Sequence, residues 1–245
     1  MTNSNWVLYD YLRVNGGAER VAYDFIKNNY TYKLLVSTIY DNFKLPSGVD
    51  NDRVRYLFKN KRFITNLMTY YYFSHKNVNQ INNAESVIYS GIYSILAEGS
   101  QKNGKKIYYC HTPPRFVYDR MDEYLKRYNF FSRQLLKLFL RIYKKRYEKS
   151  LENMRLILTN SHHMRKYIKK TLNRESYVVY PAIDNSFKWL SQSDYYVSLG
   201  RLEPNKRIET VVKAFMKIPN KKLVVTSILV GKTGSPSVLC CIDLE

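Results

Sequence analysis

The chain has 245 residues, 45% of them hydrophobic, with 24 Tyr and 11 Phe, which excludes a disordered polar tract. Its 40 Lys and Arg against 20 Asp and Glu give a formal net charge of +20, which calls for an anionic partner: nucleic acid, anionic lipid or phosphorylated small molecules. Three cysteines, two adjacent at Cys240 and Cys241, make neither a disulfide framework nor a zinc site, and no signal peptide or membrane span is legible, so a cytoplasmic setting is expected.

In chain order, short apolar runs rich in Val, Ile and Tyr alternate with longer amphipathic segments. A strand over 6–11 leads through Asn15, Gly16 and Gly17 into a helix over 17–28. Strands over 34–40 and 54–58 follow, then a helix over 61–73 and strands over 86–90 and 106–110. A long helix over 131–152, a strand over 155–159, a helix over 161–171 and a strand over 177–180 close this first series. After the polar, aperiodic stretch 184–194, a strand over 195–199, a helix over 206–218 and a strand over 222–226 begin a second. The alternation of continuously apolar strands with helices predicts an α/β fold with a parallel sheet covered on both faces. Ligands of such sheets bind at the carboxyl ends of the strands, so the residues directly after each strand are the ones to inspect.

The boundaries read as a Rossmann-like domain over 1–185, the start of a second domain over 186–226, and an atypical tail over 227–245. All 24 Tyr and all 21 Asn fall in the first 226 positions and none in the tail, which also holds two of the three cysteines. The tail reads either as a variable C-terminus or as out-of-frame sequence.

Several segments carry candidate chemistry. Gly16 and Gly17 at the first strand-to-helix turn read either as a tight turn or as a place where backbone approaches an anion at a helix N-terminus. The spacing is not that of a dinucleotide G-x-G-x-x-G. His111, after the strand over 106–110 and before Thr112, Pro113 and Pro114, stands at the ligand edge of the sheet, because two prolines stop the ladder. Its imidazole can donate to a sugar hydroxyl or a phosphate, or act as a base, and a purely structural histidine is the plain alternative. Ser161, in Thr159-Asn160-Ser161, reads as a helix N-cap. Arg201 and Lys206, five apart on one strand-to-helix loop, can converge on a diphosphate, and solvated loop charges are the plain alternative. Gly231-Lys232-Thr233 is not a P-loop, since Thr226 stands where the first Gly is needed. His75, His162 and His163 have no ligand spacing with Cys, Asp or Glu, and no metal is expected.

The helix over 131–152 carries Arg133, Lys137, Arg141, Lys144, Lys145, Arg146 and Lys149, with Phe131, Leu135, Leu138, Phe139, Ile142 and Tyr143 on its other side. This suits an anionic membrane surface, and equally a sheet-covering helix with a solvated face. The basic-aromatic stretch from Lys59 to Phe73 raises the same question.

Together these segments resemble the family 4 glycosyltransferases of the two-domain GT-B fold. The resemblance spans about 6–226 and is carried by Gly16-Gly17-Ala18-Glu19-Arg20, Tyr109-Cys110-His111-Thr112-Pro113, Thr159-Asn160-Ser161, Val179-Tyr180-Pro181-Ala182-Ile183-Asp184 and Gly200-Arg201-Leu202-x-x-x-Lys206-Arg207. The Cys110 to Arg115 segment is most similar to mannosyltransferases that build O-antigen or capsule polysaccharides. The resemblance implies retaining transfer of a hexose, mannose among the candidates, from a GDP- or UDP-sugar to a saccharide or lipid-linked acceptor, with no metal or other cofactor. It implies Arg201 and Lys206 on the donor diphosphate, Gly16 and Gly17 near the diphosphate or acceptor, and His111 on the transferred sugar. It also implies a peripheral place on the inner face of the cell membrane. No Glu-x7-Glu element follows Lys206, so the resemblance implies an incomplete enzyme with little or no activity. The alternatives from other classes are a basic nucleic-acid-binding protein, though no helix-turn-helix, zinc-finger or RNP pattern is present, and a membrane-surface-associated non-catalytic protein.

Overall fold

The computed structural model describes residues 5–59, 65–183, 189, 191–200, 206–230 and 236–244, with backbone alone beyond 226. The chain divides into two units, Met1–Ala182 and Ile183–Glu245. Among the described residues the first unit holds seven strands: β1 (Asn5–Tyr9), β2 (Tyr32–Val36), β3 (Val54–Tyr56), β4 (Ser86–Ser90), β5 (Lys105–Cys110), β6 (Leu156–Thr159) and β7 (Tyr177–Val178). All pair in parallel, in the order β3-β2-β1-β4-β5-β6-β7. The connections run outward in both directions from β1 and β4, so a crevice opens where the order reverses, at the carboxyl ends of those two strands.

Side-chain alternation divides the core between the two sheet faces. Trp6, Leu8, Leu35, Val87, Tyr89, Tyr108, Cys110 and Ile157 point to one face, and Val7, Tyr9, Leu34, Val36, Ile88 and Tyr109 to the other. Central β4 is buried at all five positions, which is why it reads as an unbroken Val-Ile-Tyr run. The first face is covered by α2 (Thr65–His75), a 3-10 helix (Ser94–Ser100), α4 (Phe130–Glu152) and α5 (His162–Leu172). The second is covered by α1 (Gly17–Lys27) through Val21, Ala22, Tyr23 and Ile26. A short α3 (Met121–Leu125), not foreseen from sequence, precedes α4.

Several of the tyrosines are core residues whose polar tips are partnered. Tyr143 and Tyr147 stack on one face of α4 with ring centroids 6.0 Å apart. The Tyr147 hydroxyl lies 3.1 Å from that of Tyr108, and the Tyr143 hydroxyl donates to the Ile92 carbonyl at 2.7 Å. Glu98 and Lys106 form a largely buried ion pair at 2.9 Å, and Asn153 donates to the other Glu98 oxygen at 3.0 Å, tying the end of α4 to β5.

Several boundaries differ from the sequence expectation. The first strand stops at Tyr9 rather than at residue 11, so Asp10 directly follows it. The second stops at Val36 rather than at residue 40, because the ladder breaks at buried Ser37 and Thr38 before one more bridge, Leu12 with Ile39. The strand expected over 177–180 is only two residues long. Of the helix expected over 61–73, residues 61–64 lie outside the described residues, and it runs on to His75. Helix α4 starts one residue early because the Asn129 side chain accepts from the Ser132 N–H at 3.0 Å and caps it. The expected apolar side of α4 also needs correcting. Phe139 and Tyr143 pack inward with Leu140, Tyr147 and Leu151, whereas Phe131, Leu135, Leu138 and Ile142 are exposed.

Among the described residues the second unit holds a three-stranded sheet in the order β10-β9-β8. Strands β8 (Tyr195–Leu199) and β9 (Lys222–Val230) pair in parallel around α6 (Ile208–Phe215), the β-α-β unit expected from sequence. Strand β9 continues past Thr226, and β10 (Pro236–Leu244) pairs with it antiparallel. The expected helix start at residue 206 moves to Ile208, because Arg207 sits in the left-handed region at φ 50°. Leu223 and Val225 are buried, but Val197 and Leu199 of β8 are 58% and 68% exposed. The expected boundary stretch 184–194 lies largely outside the described residues, as does Gly231-Lys232-Thr233.

Candidate functional site

Three strand ends meet at the crevice of the first unit: Tyr9 of β1, Ser90 of β4 and Cys110 of β5, on neighbouring strands. Asp10, the residue after β1, is buried there. Its carboxylate accepts from three successive backbone N–H groups after β4: Ile92 at 2.9 Å, Tyr93 at 2.9 Å and Ser94 at 2.8 Å. These bonds wrap the 91–94 turn around one side chain and fix the floor of the crevice. Burial pushes the Asp10 carboxyl up to about 6, although the three N–H groups pull the other way. Gly91 is required by this arrangement, since a Cβ there would lie 2.4 Å from Asp10 Oδ1.

Gly16 and Gly17 open α1 on the same edge. Gly16 is its N-cap, in extended conformation with no side chain to cap with, so neither glycine is needed for a positive φ. A Cβ on Gly16 would meet Glu19 Oε2 at 2.6 Å, whereas one on Gly17 would have nothing within 4 Å. The approach to the first turn of α1 is open on the Gly17 side.

His111 follows β5 as expected. Its Nε2 lies 2.9 Å from Ser90 Oγ, and its ring centroid is 4.9 Å from that of Tyr109. Burial lowers its pKa to about 4, so the ring is neutral at pH 7. A neutral imidazole both donates and accepts, and it brings no cation to the site. The Thr159-Asn160-Ser161 segment fixes this strand end from the next strand over. Thr159 Oγ1 donates to the Cys110 carbonyl at 3.0 Å, and Asn160 Nδ2 donates to the His111 carbonyl at 3.2 Å. Ser161 caps α5, accepting from the Met164 N–H at 3.2 Å, as the sequence indicated. Beyond His111, Pro113 and Pro114 are buried, and Arg115 pairs with Asp119 at 2.6 Å. The Cys110 thiol is buried and pushed up to about 12, which makes it a packing residue rather than a nucleophile.

In the second unit, Lys206 is exposed on the stretch between β8 and α6. Arg201 lies outside the described residues. The structure therefore brings His111, Gly16 and Gly17 to one edge of one sheet, and places Lys206 on the corresponding edge of another. Asp10, Ser90 and Gly91 escaped the sequence reading. The available signal was an acid at the end of the Val7-Leu8-Tyr9 run, hidden by reading the strand as far as residue 11. Among the described residues no cluster of His, Cys, Asp or Glu is arranged to hold a metal ion. A separate groove of about 270 Å³ lies beside α1, lined by Phe25, Tyr109, Val179 and Tyr180 among others, and contains none of the candidate site residues.

No family model matches the chain, and no curated protein matches it. Among solved structures it is similar to HepE from Anabaena, crystallised in complex with UDP-glucose. The two share 15% identity at a TM-score of 0.54, over 92% of this chain and 60% of HepE. The likeness is one of fold. The chain has a Rossmann-like α/β fold of the GT-B type, with a seven-stranded parallel sheet in its first unit. It spans about 60% of the length of the HepE chain.

Proposed function

We propose that this chain belongs to a nucleotide-sugar-dependent glycosyltransferase that retains anomeric configuration and transfers a hexose to a saccharide or lipid-linked acceptor. The observation that carries the reading is the neutral His111, held by Ser90 at the open strand edge, in a fold shared with a protein crystallised with UDP-glucose. In this reading the bond between the anomeric carbon and the diphosphate oxygen breaks, the electron pair leaves on the diphosphate, and an acceptor hydroxyl replaces it on the same face, giving its proton to the departing diphosphate oxygen. Charge therefore grows on the departing diphosphate. Arg201 and Lys206 neutralise it, Arg as a two-point fork and Lys as a point charge, so no metal is invoked. His111, neutral and able to donate, takes a hydroxyl of the transferred sugar. Gly16 and Gly17 lend the open first turn of α1 to a diphosphate or acceptor oxygen.

The roles of His111 and the two cations separate in a ligand comparison. His111→Ala is expected to weaken UDP-glucose or GDP-mannose binding by about tenfold while leaving UDP and GDP unchanged, as for loss of one sugar hydrogen bond. Equal losses for the sugar nucleotide and the bare nucleotide would remove His111 from the sugar site.

A further inference from the structure

A single side chain holds the His111 ring, and the chemistry of that contact fixes which ring nitrogen carries the proton. Ser90, the last residue of β4, is fully buried. Its hydroxyl lies 2.9 Å from His111 Nε2 and has no other partner among the described residues. The Asp10 carboxylate is no substitute acceptor, since it faces the N–H groups of Ile92, Tyr93 and Ser94. The other ring nitrogen, Nδ1, also has no partner among the described residues. Unlike the orphaned and buried Ser94 hydroxyl, however, Nδ1 is open to solvent. The ring therefore turns one nitrogen into the protein and one outward at the strand edge. Its backbone is tied down through the Cys110 and His111 carbonyls, by Thr159 at 3.0 Å and Asn160 at 3.2 Å.

We propose that Ser90 is a positioning residue: its hydroxyl donates to Nε2, holds His111 as the Nδ1–H tautomer, and so presents a fixed donor to the crevice. The two neutral tautomers are unequal here. With the proton on Nε2, the ring would donate to Ser90 Oγ and leave the hydroxyl's own proton buried without an acceptor. With the proton on Nδ1, Nε2 accepts from Ser90, the hydroxyl is satisfied, and Nδ1–H is left for a ligand. An unsatisfied buried donor is costly enough to favour the second form by about tenfold or more. The ligand atom facing His111 is then one with a lone pair to offer. That this atom is a hydroxyl oxygen of the transferred sugar rests on the nucleotide-sugar reading above; the tautomer does not.

The test is a proton–nitrogen correlation spectrum of the full chain at pH 7, with its histidines labelled by nitrogen-15. His111→Gln identifies the His111 signals among the four histidines by their loss. The nitrogen coupled to both carbon-bound ring protons, Nε2, should show the shift of an unprotonated nitrogen, and Nδ1 that of a protonated one. Ser90→Ala should average the two shifts, and Ser90→Thr, which keeps the hydroxyl, should restore them. A protonated Nε2, or averaged shifts in the parent, would overturn the proposal, and so would a pattern unchanged in Ser90→Ala. The parent spectrum decides the tautomer whether or not the alanine variant folds. By calorimetry, Ser90→Ala should weaken the binding of UDP-glucose or GDP-mannose by about fivefold, leave UDP and GDP unchanged, and be rescued by Ser90→Thr. A parent that binds neither sugar nucleotide would sink the nucleotide-sugar reading, while the tautomer is read from the spectrum alone.

Discussion

Protonation at the crevice gives the structure a pH signature that can be worked out with its sign. His111 is buried neutral, its pKa lowered from 6.5 to about 4. An unfolded chain takes up that proton near pH 6.5 and the native chain only near 4. The contribution of His111 is therefore fully present above pH 6.5, and is lost as pH falls from 6.5 to 4. At about 1.4 kcal/mol per unit, the loss is about 3 kcal/mol. Asp10 acts in the opposite sense, raised from 3.8 to about 6: its contribution is fully present below pH 4 and is lost as pH rises through 6, again by about 3 kcal/mol. Between pH 4 and 6 the two largely offset each other, so the parent protein conceals both. His111→Gln, which keeps a hydrogen-bonding side chain beside Ser90, exposes the pair. Urea melts at pH 4, 5, 6 and 7 should show the parent gaining about 3 kcal/mol over the variant as pH rises across that range. A difference between parent and variant that stays flat from pH 4 to 7 would refute a buried neutral His111.

Two core substitutions test the packing beneath the crevice. Gly91→Ala places a Cβ against the Asp10 carboxylate and should cost about 2 kcal/mol, read as a fall in thermal midpoint; Asp10→Asn/Gly91→Ala should lose less than the sum. Tyr147→Phe leaves the buried Tyr108 hydroxyl without its partner at 3.1 Å and should cost about 1–2 kcal/mol in a urea melt.

Most of the sheet was legible because its strands are buried on both faces and so read as unbroken apolar runs. Strand β4, buried at all five positions, falls on the expected residues throughout, and so does β8, whose apolar run is legible although most of it is exposed. The strand ends that define the site were less legible. Tyr11 prolongs an apolar-looking run, but the ladder leaves β1 at Tyr9, where Asp10 turns its carboxylate onto the next loop. That bond spans 82 positions of sequence, and nothing local to Asp10 announces it. His111 was legible because two prolines forbid the strand to continue, and its neutral state was not, because burial comes from distant elements. Helix α4 shows the same limit in another form. Its apolar residues fit two faces at helical spacing, and only the packing of Tyr143 and Tyr147 under the sheet decides which face turns inward. The second unit's βαβ order was plain, while the antiparallel β10 was not, since its pairing depends on a partner strand and not on its own pattern.

The central claim, that this chain binds a nucleotide sugar through its two candidate diphosphate cations, is tested most directly by calorimetry of the full chain with UDP-glucose and GDP-mannose. One of the two should bind, and Arg201→Ala/Lys206→Ala should weaken that binding by at least about tenfold, as for loss of charge-assisted contacts. Absence of binding to either nucleotide sugar, or binding undiminished by the double substitution, would contradict the account.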